Sequence, residues 1–254
     1  MAAQDVLRIE NLGHSYGKFK VIEDISLSIG KGEMSALIGP NGAGKTTFYN
    51  AISGMFPPTK GRVLLNGEDV TGLPSHRMVD KGMCRSFQIT NVFAELTVAE
   101  NVFSPLIMQQ NKHYKFYGNI HRDRKVLDKT MQTLEQVGLA DRADQKVANL
   151  AYGDKRLVEM AIVLARDPSV VLLDEPTAGM NPEETENMIN LIKKLAGSLG
   201  TTFFITEHDM KVVFSLAEKI YVLHQGHLLA QGSPVEIRAN EHVKEAYLGR
   251  KVHA

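Results

Sequence analysis

Gly39-Pro40-Asn41-Gly42-Ala43-Gly44-Lys45-Thr46 is the stretch on which the fold turns. It fits G-x-x-x-x-G-K-[ST], and its flanks supply the context that pattern needs. Met34 to Ile38 is a nearly continuous apolar run, the mark of a buried strand, while Phe48, Ala51, Ile52 and Met55 fall at i, i+3, i+4 and i+7 and make one apolar stripe of a helix. Strand, glycine turn and helix in this order form an anion trap. Small residues let successive backbone N–H groups turn inward around a phosphate, and the helix N-terminus adds the positive end of its dipole. Lys45 then reaches the β- and γ-phosphates, the Thr46 hydroxyl ligates Mg²⁺ and Thr47 touches the α-phosphate. A dinucleotide fingerprint beginning at Gly42 fails, because Thr47 stands where G-x-G-x-x-G requires its third glycine.

Working outward, the segment from Val6 to about Leu65 reads as short strands. Ile25, Leu27 and Ile29 alternate with Ser26 and Ser28, and Arg62 to Leu65 is closed by an Asn66-Gly67 turn. From about Gln88 to Arg166 the pattern changes to longer helical spacings at Val98 to Met108, Arg124 to Val137 and Asp154 to Ala165. Alternation then resumes. Val170 to Leu173 is a buried strand, and Asn181 caps a helix with Pro182 first and Glu184 third. Met188, Ile189, Ile192, Leu195, Ala196 and Leu199 give that helix its core face, and Gly200 ends it. Thr202 to Thr206 is a strand, Asp209 to Ala217 a helix, and Lys219 to Leu223 with His227 to Ala230 a hairpin about Gln225-Gly226. The expected fold is α/β: a mostly parallel, helix-flanked sheet, an antiparallel layer from the N-terminal strands, and an inserted helical lobe.

At 254 residues the chain has room for one large domain or a core with an inserted lobe. Its 29 basic and 29 acidic residues cancel, which removes the electrostatic footprint of a nucleic-acid binder. The lone cysteine, Cys84, forms neither an internal disulfide nor a zinc site, so a reducing cytoplasm is the expected compartment, and Cys84 and Met83 read as core. Asp5, Arg8 and Glu10 interrupt any secretory h-region, and the best apolar stretch, Ala161 to Leu173, is broken by Arg166, Asp167 and Pro168. From Lys112 to Lys129, six basic residues with Tyr114, Phe116 and Tyr117 read either as a solvated face of the helical lobe or as a surface near lipid headgroups or a membrane protein.

Val170-Val171-Leu172-Leu173-Asp174-Glu175 sets two carboxylates at the C-terminal edge of a buried strand, where open α/β sheets place their ligands. Asp174 suits a magnesium shell, and Glu175 can point at an attacking water; adjacent carboxylates at a loop start can equally be merely solvated. Together with five further elements this chain resembles an ABC-type ATPase subunit over nearly its whole length. Leu150-Ala151-Tyr152-Gly153-Asp154 sits where that family carries its signature L-S-G-G-Q, from which it departs at Ala151, Tyr152 and Asp154. Tyr16 resembles the adenine-stacking aromatic and Gln88 the Q-loop glutamine. Ala178-Gly179-Met180-Asn181 takes the D-loop place, and His208 resembles the switch histidine.

The resemblance implies a RecA-like core with its antiparallel β layer over residues 1–87 and 167–254, a helical subdomain over 88–166 and a helical tail over 234–254. It implies ATP and Mg²⁺ as cofactors, with Thr46, Gln88 and Asp174 toward the metal, Glu175, His208 and Gln88 in hydrolysis, and the signature acting on a partner's ATP. The implied partners are a second ABC ATPase subunit, paralogue or self, head to tail; transmembrane permease subunits; and, indirectly, a solute-binding protein, with the chain peripheral on the cytoplasmic face of the membrane. Arg85-Ser86-Phe87-Gln88 through Phe93, Leu96-Thr97-Val98, Glu100-Asn101-Val102 and Ala246-Tyr247-Leu248-Gly249 are similar to a branched-chain amino acid importer ATPase. Urea or amide importers and a lipopolysaccharide-export ATPase are related alternatives. Soluble ABC ATPases of repair or translation carry long coiled coils or a second cassette, and nucleotide kinases lack the Leu150 to Asp154 element.

Overall fold

The computed structural model describes residues 5–86, 92–109 and 123–248. The chain opens with β1 (Asp5–Tyr16), β2 (Phe19–Gly30) and β3 (Met34–Ile38), then α1 (Lys45–Ile52), β4 (Lys60–Leu65), β5 (Glu68–Asp69), α2 (Ser75–Asp80) and β6 (Met83–Arg85). The helices α3 (Val98–Gln109), α4 (Arg124–Val137) and α5 (Tyr152–Leu164) follow. The chain then runs through β7 (Val170–Asp174), α6 (Pro182–Leu199), β8 (Thr202–Thr206), α7 (Met210–Leu216), β9 (Lys219–His224), β10 (His227–Gly232), α8 (Pro234–Ala239) and α9 (Glu241–Leu248).

Two sheets result, as expected. One is antiparallel in the order β2-β1-β4-β5; the other runs β10-β9-β3-β8-β7-β6, parallel from β9 to β6 with β10 antiparallel at its edge. Every residue of β3, β7 and β8 is buried, which is why these strands read as continuous apolar runs rather than alternating ones. Their period of two divides the core cleanly. Ala36, Ile38, Val171, Leu173, Phe203 and Ile205 pack with α3 to α7, whereas Leu37, Val170, Leu172 and Phe204 pack with α1 and the antiparallel sheet. Buried residues of the inserted helices, Val102, Leu134 and Val158 among them, belong to the same cluster as the first of those faces.

Local signals act where the residues put them. Asn66-Gly67 and Gln225-Gly226 turn their hairpins with positive φ at both positions, the type I′ geometry that matches strand twist. Asn181 and Glu184 form a capping box on α6, with Pro182 in its first turn and Gly200 left-handed at its end. Four expectations change. The first strands are not short: β1 and β2 each run 12 residues, because Asn11 and Asp24, which interrupt the alternation, are absorbed as positive-φ irregularities joined by an Asn11 Nδ2 to Asp24 Oδ1 hydrogen bond of 2.7 Å. Met55 lies outside α1, which stops at Ile52, and is 53% exposed; Leu199, in the last turn of α6, is also exposed. Finally α5 begins at Tyr152, two residues earlier than the spacing suggests.

Candidate nucleotide site

The loop 39–44 leaves the C-terminal end of the central strand β3, and close approach of backbone fixes its shape. A Cβ at Gly39 would lie 2.3 Å from the Leu223 carbonyl oxygen, and one at Gly44, the left-handed N-cap of α1, 2.7 Å from Ile22 Cγ2. Only glycine fits either place. The loop is also stitched to its surroundings. Ala43 N–H donates to the Pro40 carbonyl (3.1 Å), and Gly226 N–H at the β9–β10 turn donates to the Ala43 carbonyl (3.1 Å), while Glu23 N–H on β2 donates to Gly226 (2.8 Å). Asn41, Gly42 and Thr46 are exposed, Pro40, Lys45 and Thr47 half-buried, Ala43 buried. Lys45 Nζ curls over its own loop onto the Gly39 (2.6 Å) and Pro40 (3.2 Å) carbonyls. Burial lowers its pKa, and the nearby charges of Glu175 and Asp174 pull the other way. Beside the loop, His14 on β1 pairs in register with Ile22, whose side chain borders Gly44. Tyr16, two residues on, is 54% exposed and rests edge-on against buried His14, ring centroids 4.8 Å apart, with Phe56 at 6.0 Å. His14 and Phe56, which back this tyrosine, carry no signal in the sequence.

At the end of β7 the two carboxylates part company. Asp174 is buried, one oxygen accepting from Arg85 Nη2 (2.6 Å) and the other from Thr206 Oγ1 (2.6 Å). Glu175 follows with φ +50°, a left-handed conformation that costs a non-glycine residue about 1–2 kcal/mol. Its N–H donates to the Thr206 carbonyl (3.0 Å), and its Oε1 lies 2.8 Å from Nε2 of His208. Sequence reasoning missed Glu207, which holds that pair in place. Its buried carboxylate accepts from Thr177 N–H (3.0 Å), Thr177 Oγ1 (2.6 Å) and His208 N–H (3.1 Å), tying the loop after Glu175 to the histidine. A charged residue directly after a strand reads as solvated; its burial was not visible.

Leu150 to Asp154 makes up the approach to α5 and its first turn. Leu150 is buried, and Ala151 is the N-cap without a side-chain hydrogen bond. The three departures from L-S-G-G-Q have partners inside the chain or none. Tyr152 Oη donates to the Ala178 carbonyl (3.2 Å) and its ring lies against Gly179, Asp154 pairs with Arg142, and Ala151 offers no donor. Gly153 faces Glu184, and between the two helices opens a cleft of about 340 Å³ lined by Ala151, Gly153, Asp154, Met180 and Glu184. Among the described residues no hydrogen bond joins Leu150–Asp154 to residues 39–47. The structure therefore gathers the loop, Asp174, Glu175 and His208, and leaves the signature apart. Gln88 lies outside the described residues, as do residues 110–122 of the basic segment. The donors fit Mg²⁺: a hydroxyl and a carboxylate are hard oxygen ligands, and this ion takes one or two carboxylates together with substrate phosphates. Among the described residues no cluster of three His, Cys, Asp or Glu forms a cage for a metal, and no helix is long and apolar enough to cross a membrane.

Residues 22–178 match the ABC transporter family, and residues 227–253 match a family described as branched-chain amino acid ATP-binding cassette transporter. The chain is 38% identical to the high-affinity branched-chain amino acid transport ATP-binding protein LivG of Escherichia coli, with 97% of this chain and 99% of LivG covered. It is 33% identical to the lipopolysaccharide export system ATP-binding protein LptB of Escherichia coli, over 96% of this chain and 97% of that protein. The ADP conformation of MJ1267, an ATP-binding cassette of an ABC transporter, superposes with a TM-score of 0.86 at 30% identity, covering 96% of this chain and 99% of that one. A dimeric post-hydrolysis state of the cassette MJ0796, bound to ADP and Pi, matches with a TM-score of 0.75 at 26% identity over 90% and 98%.

Proposed function

The chain belongs to the ABC transporter family as an ATP-binding, ATP-hydrolysing subunit, and from that premise we propose that it powers import of branched-chain amino acids or closely related small solutes. The observation that carries the solute class is the C-terminal match over residues 227–253, joined to likeness with LivG along nearly the whole chain. In this reading Tyr16 stacks on adenine, an interaction worth about 1–3 kcal/mol. The N–H groups of residues 39–47 and Lys45 hold the phosphates, Thr47 toward the α-phosphate. Thr46, Asp174 and Gln88 would hold Mg²⁺, which would supply neutralisation of the phosphate charge. Glu175 accepts the proton of the attacking water. Its contact with His208 supports that role, since the histidine orients the carboxylate and can also donate to the γ-phosphate.

Leu150 to Asp154 then serves the ATP of a second ABC subunit, paralogue or self, arranged head to tail; permease subunits anchor the pair at the cytoplasmic face, and a solute-binding protein delivers cargo. Charge balance and the absence of a basic footprint oppose nucleic acid as a partner. The test is co-purification with membrane subunits and a binding protein, then ATPase measurement in vesicles. Stimulation by binding protein loaded with leucine, isoleucine or valine is expected. Stimulation by urea, a short amide or lipopolysaccharide instead would reassign the cargo, the last following the likeness to LptB.

A further inference from the structure

Arg85 is the last residue of β6, paired with Leu172 at the edge of the parallel sheet, and its side chain is 9% exposed. Its guanidinium spans two elements, the C-terminal end of β7 and the last turn of α1. Nη2 donates to Asp174 Oδ2 at the end of β7 (2.6 Å), and Nη1 donates to Asn50 Oδ1 (2.7 Å) and Ser53 Oγ (3.1 Å), in and just after the last turn of α1. The cation also lies 5.6 Å from the ring centroid of fully buried Tyr49. Thr206 holds the other oxygen of Asp174, so the carboxylate is fixed from both sides. Helix α1 carries Thr46 at its start and Asn50 near its end, and β7 carries Asp174. A rigid, planar fork between them sets how far apart the two oxygen donors stand and how the carboxylate is turned; an ammonium, as a point charge, can satisfy the aspartate but not both ends at once.

We propose that Arg85 is a positioning residue for the divalent cation, holding Asp174 at the distance and angle from Thr46 that Mg²⁺-dependent nucleotide binding requires. The proposal rests on the reading of Asp174 and Thr46 given above. It places a determinant of metal dependence on β6, outside the glycine loop and the two strand-end carboxylates. Burying Asp174 without a partner is costly, so a purely structural role is the alternative, and the two differ in what they do to metal-free binding.

The experiment measures affinity of the full chain for a fluorescent ATP analogue, with excess Mg²⁺ and with EDTA, for wild type, Arg85→Lys, Asn50→Ala and Asp174→Asn, each checked by thermal melting. For Arg85→Lys the affinity with Mg²⁺ is expected to fall about tenfold, the usual scale for loss of a group that orients a metal ligand, with the EDTA value unchanged. Asn50→Ala, which frees only the α1 end, is expected to give a smaller loss of the same Mg²⁺-selective kind. If Arg85→Lys loses affinity equally in both media, or not at all, the proposal is overturned. If Arg85→Lys does not fold, Asn50→Ala decides alone, and unchanged Mg²⁺ dependence there overturns it as well. Wild type and Asp174→Asn separate the two layers: Mg²⁺ dependence in wild type that Asp174→Asn leaves intact would sink the reading of Asp174, whereas loss in Asp174→Asn with none in the other variants sinks only the role of Arg85.

Discussion

Both the loop 39–44 and the segment 150–153 are glycine-containing turns that run into a helix, yet the chain holds them in opposite ways. The first is pinned by close approach at Gly39 and Gly44 and by a hydrogen bond from a hairpin nearly two hundred residues away, and it faces a buried aspartate with donors on both oxygens. The second has an N-cap with no side-chain bond, an exposed tyrosine whose hydroxyl reaches one carbonyl, and a half-exposed ion pair. Geometry that must exist before the ligand arrives is built from backbone and buried charge. The segment that we propose serves a second chain is held more loosely, with Tyr152 exposed.

Substitutions at the two places should therefore differ in size. Glu175→Gln is expected to keep ATP binding and lower turnover of the assembled transporter by about 10²–10⁴-fold; near-normal turnover would show that another group handles the water. Lys45→Ala should weaken nucleotide affinity by about 10–100-fold, since a charge-assisted contact to phosphate is lost, and equilibrium titration reads this directly. Glu207→Gln keeps the shape but sets an NH2 donor where one of the two acceptor oxygens stood, so that either Thr177 or the His208 N–H loses its acceptor. A drop of about 1–3 kcal/mol in unfolding free energy is expected, with kcat reduced more than KM, and an unchanged kcat would confine Glu207 to stability. At the signature the effects shrink. Ala151→Ser adds a capping hydroxyl to α5, about 1 kcal/mol of helix stabilisation, and is expected to raise ATPase of the complex; an unaltered rate would show that this hydroxyl is not limiting. Smallest of all is the response of Cys84. Burial pushes its thiol up to about 11, so the thiolate is scarce below that pH, and native protein at pH 8 should resist a disulfide reagent that reacts fully after unfolding.

The parts of the fold legible in the residues were those where one local rule acts alone. β3, β7 and β8 are buried on both faces and read as apolar runs; Asn66-Gly67, Gln225-Gly226 and the Asn181 cap follow from backbone chemistry at single positions. Reading fails where tertiary contact overrides the pattern. Asn11 and Asp24 look like strand breakers, but bonded to each other across β1 and β2 they lengthen the sheet. Within the site, positions fixed by spacing, such as Lys45, Thr46, Asp174 and Glu175, can be nominated from the sequence. Their supports cannot: Arg85, Glu207 and His14 are ordinary polar residues until the fold buries them beside those groups.

The bond from Gly226 to Ala43, and the Leu223 carbonyl against Gly39, carry a consequence for the chain while it is being made. Strand β9 lies directly beside β3, so this wall of the glycine loop is delivered only once the chain has been made past residue 219. A ribosome-tethered fragment ending before residue 219 contains every residue of the glycine loop and nothing to brace it from that side.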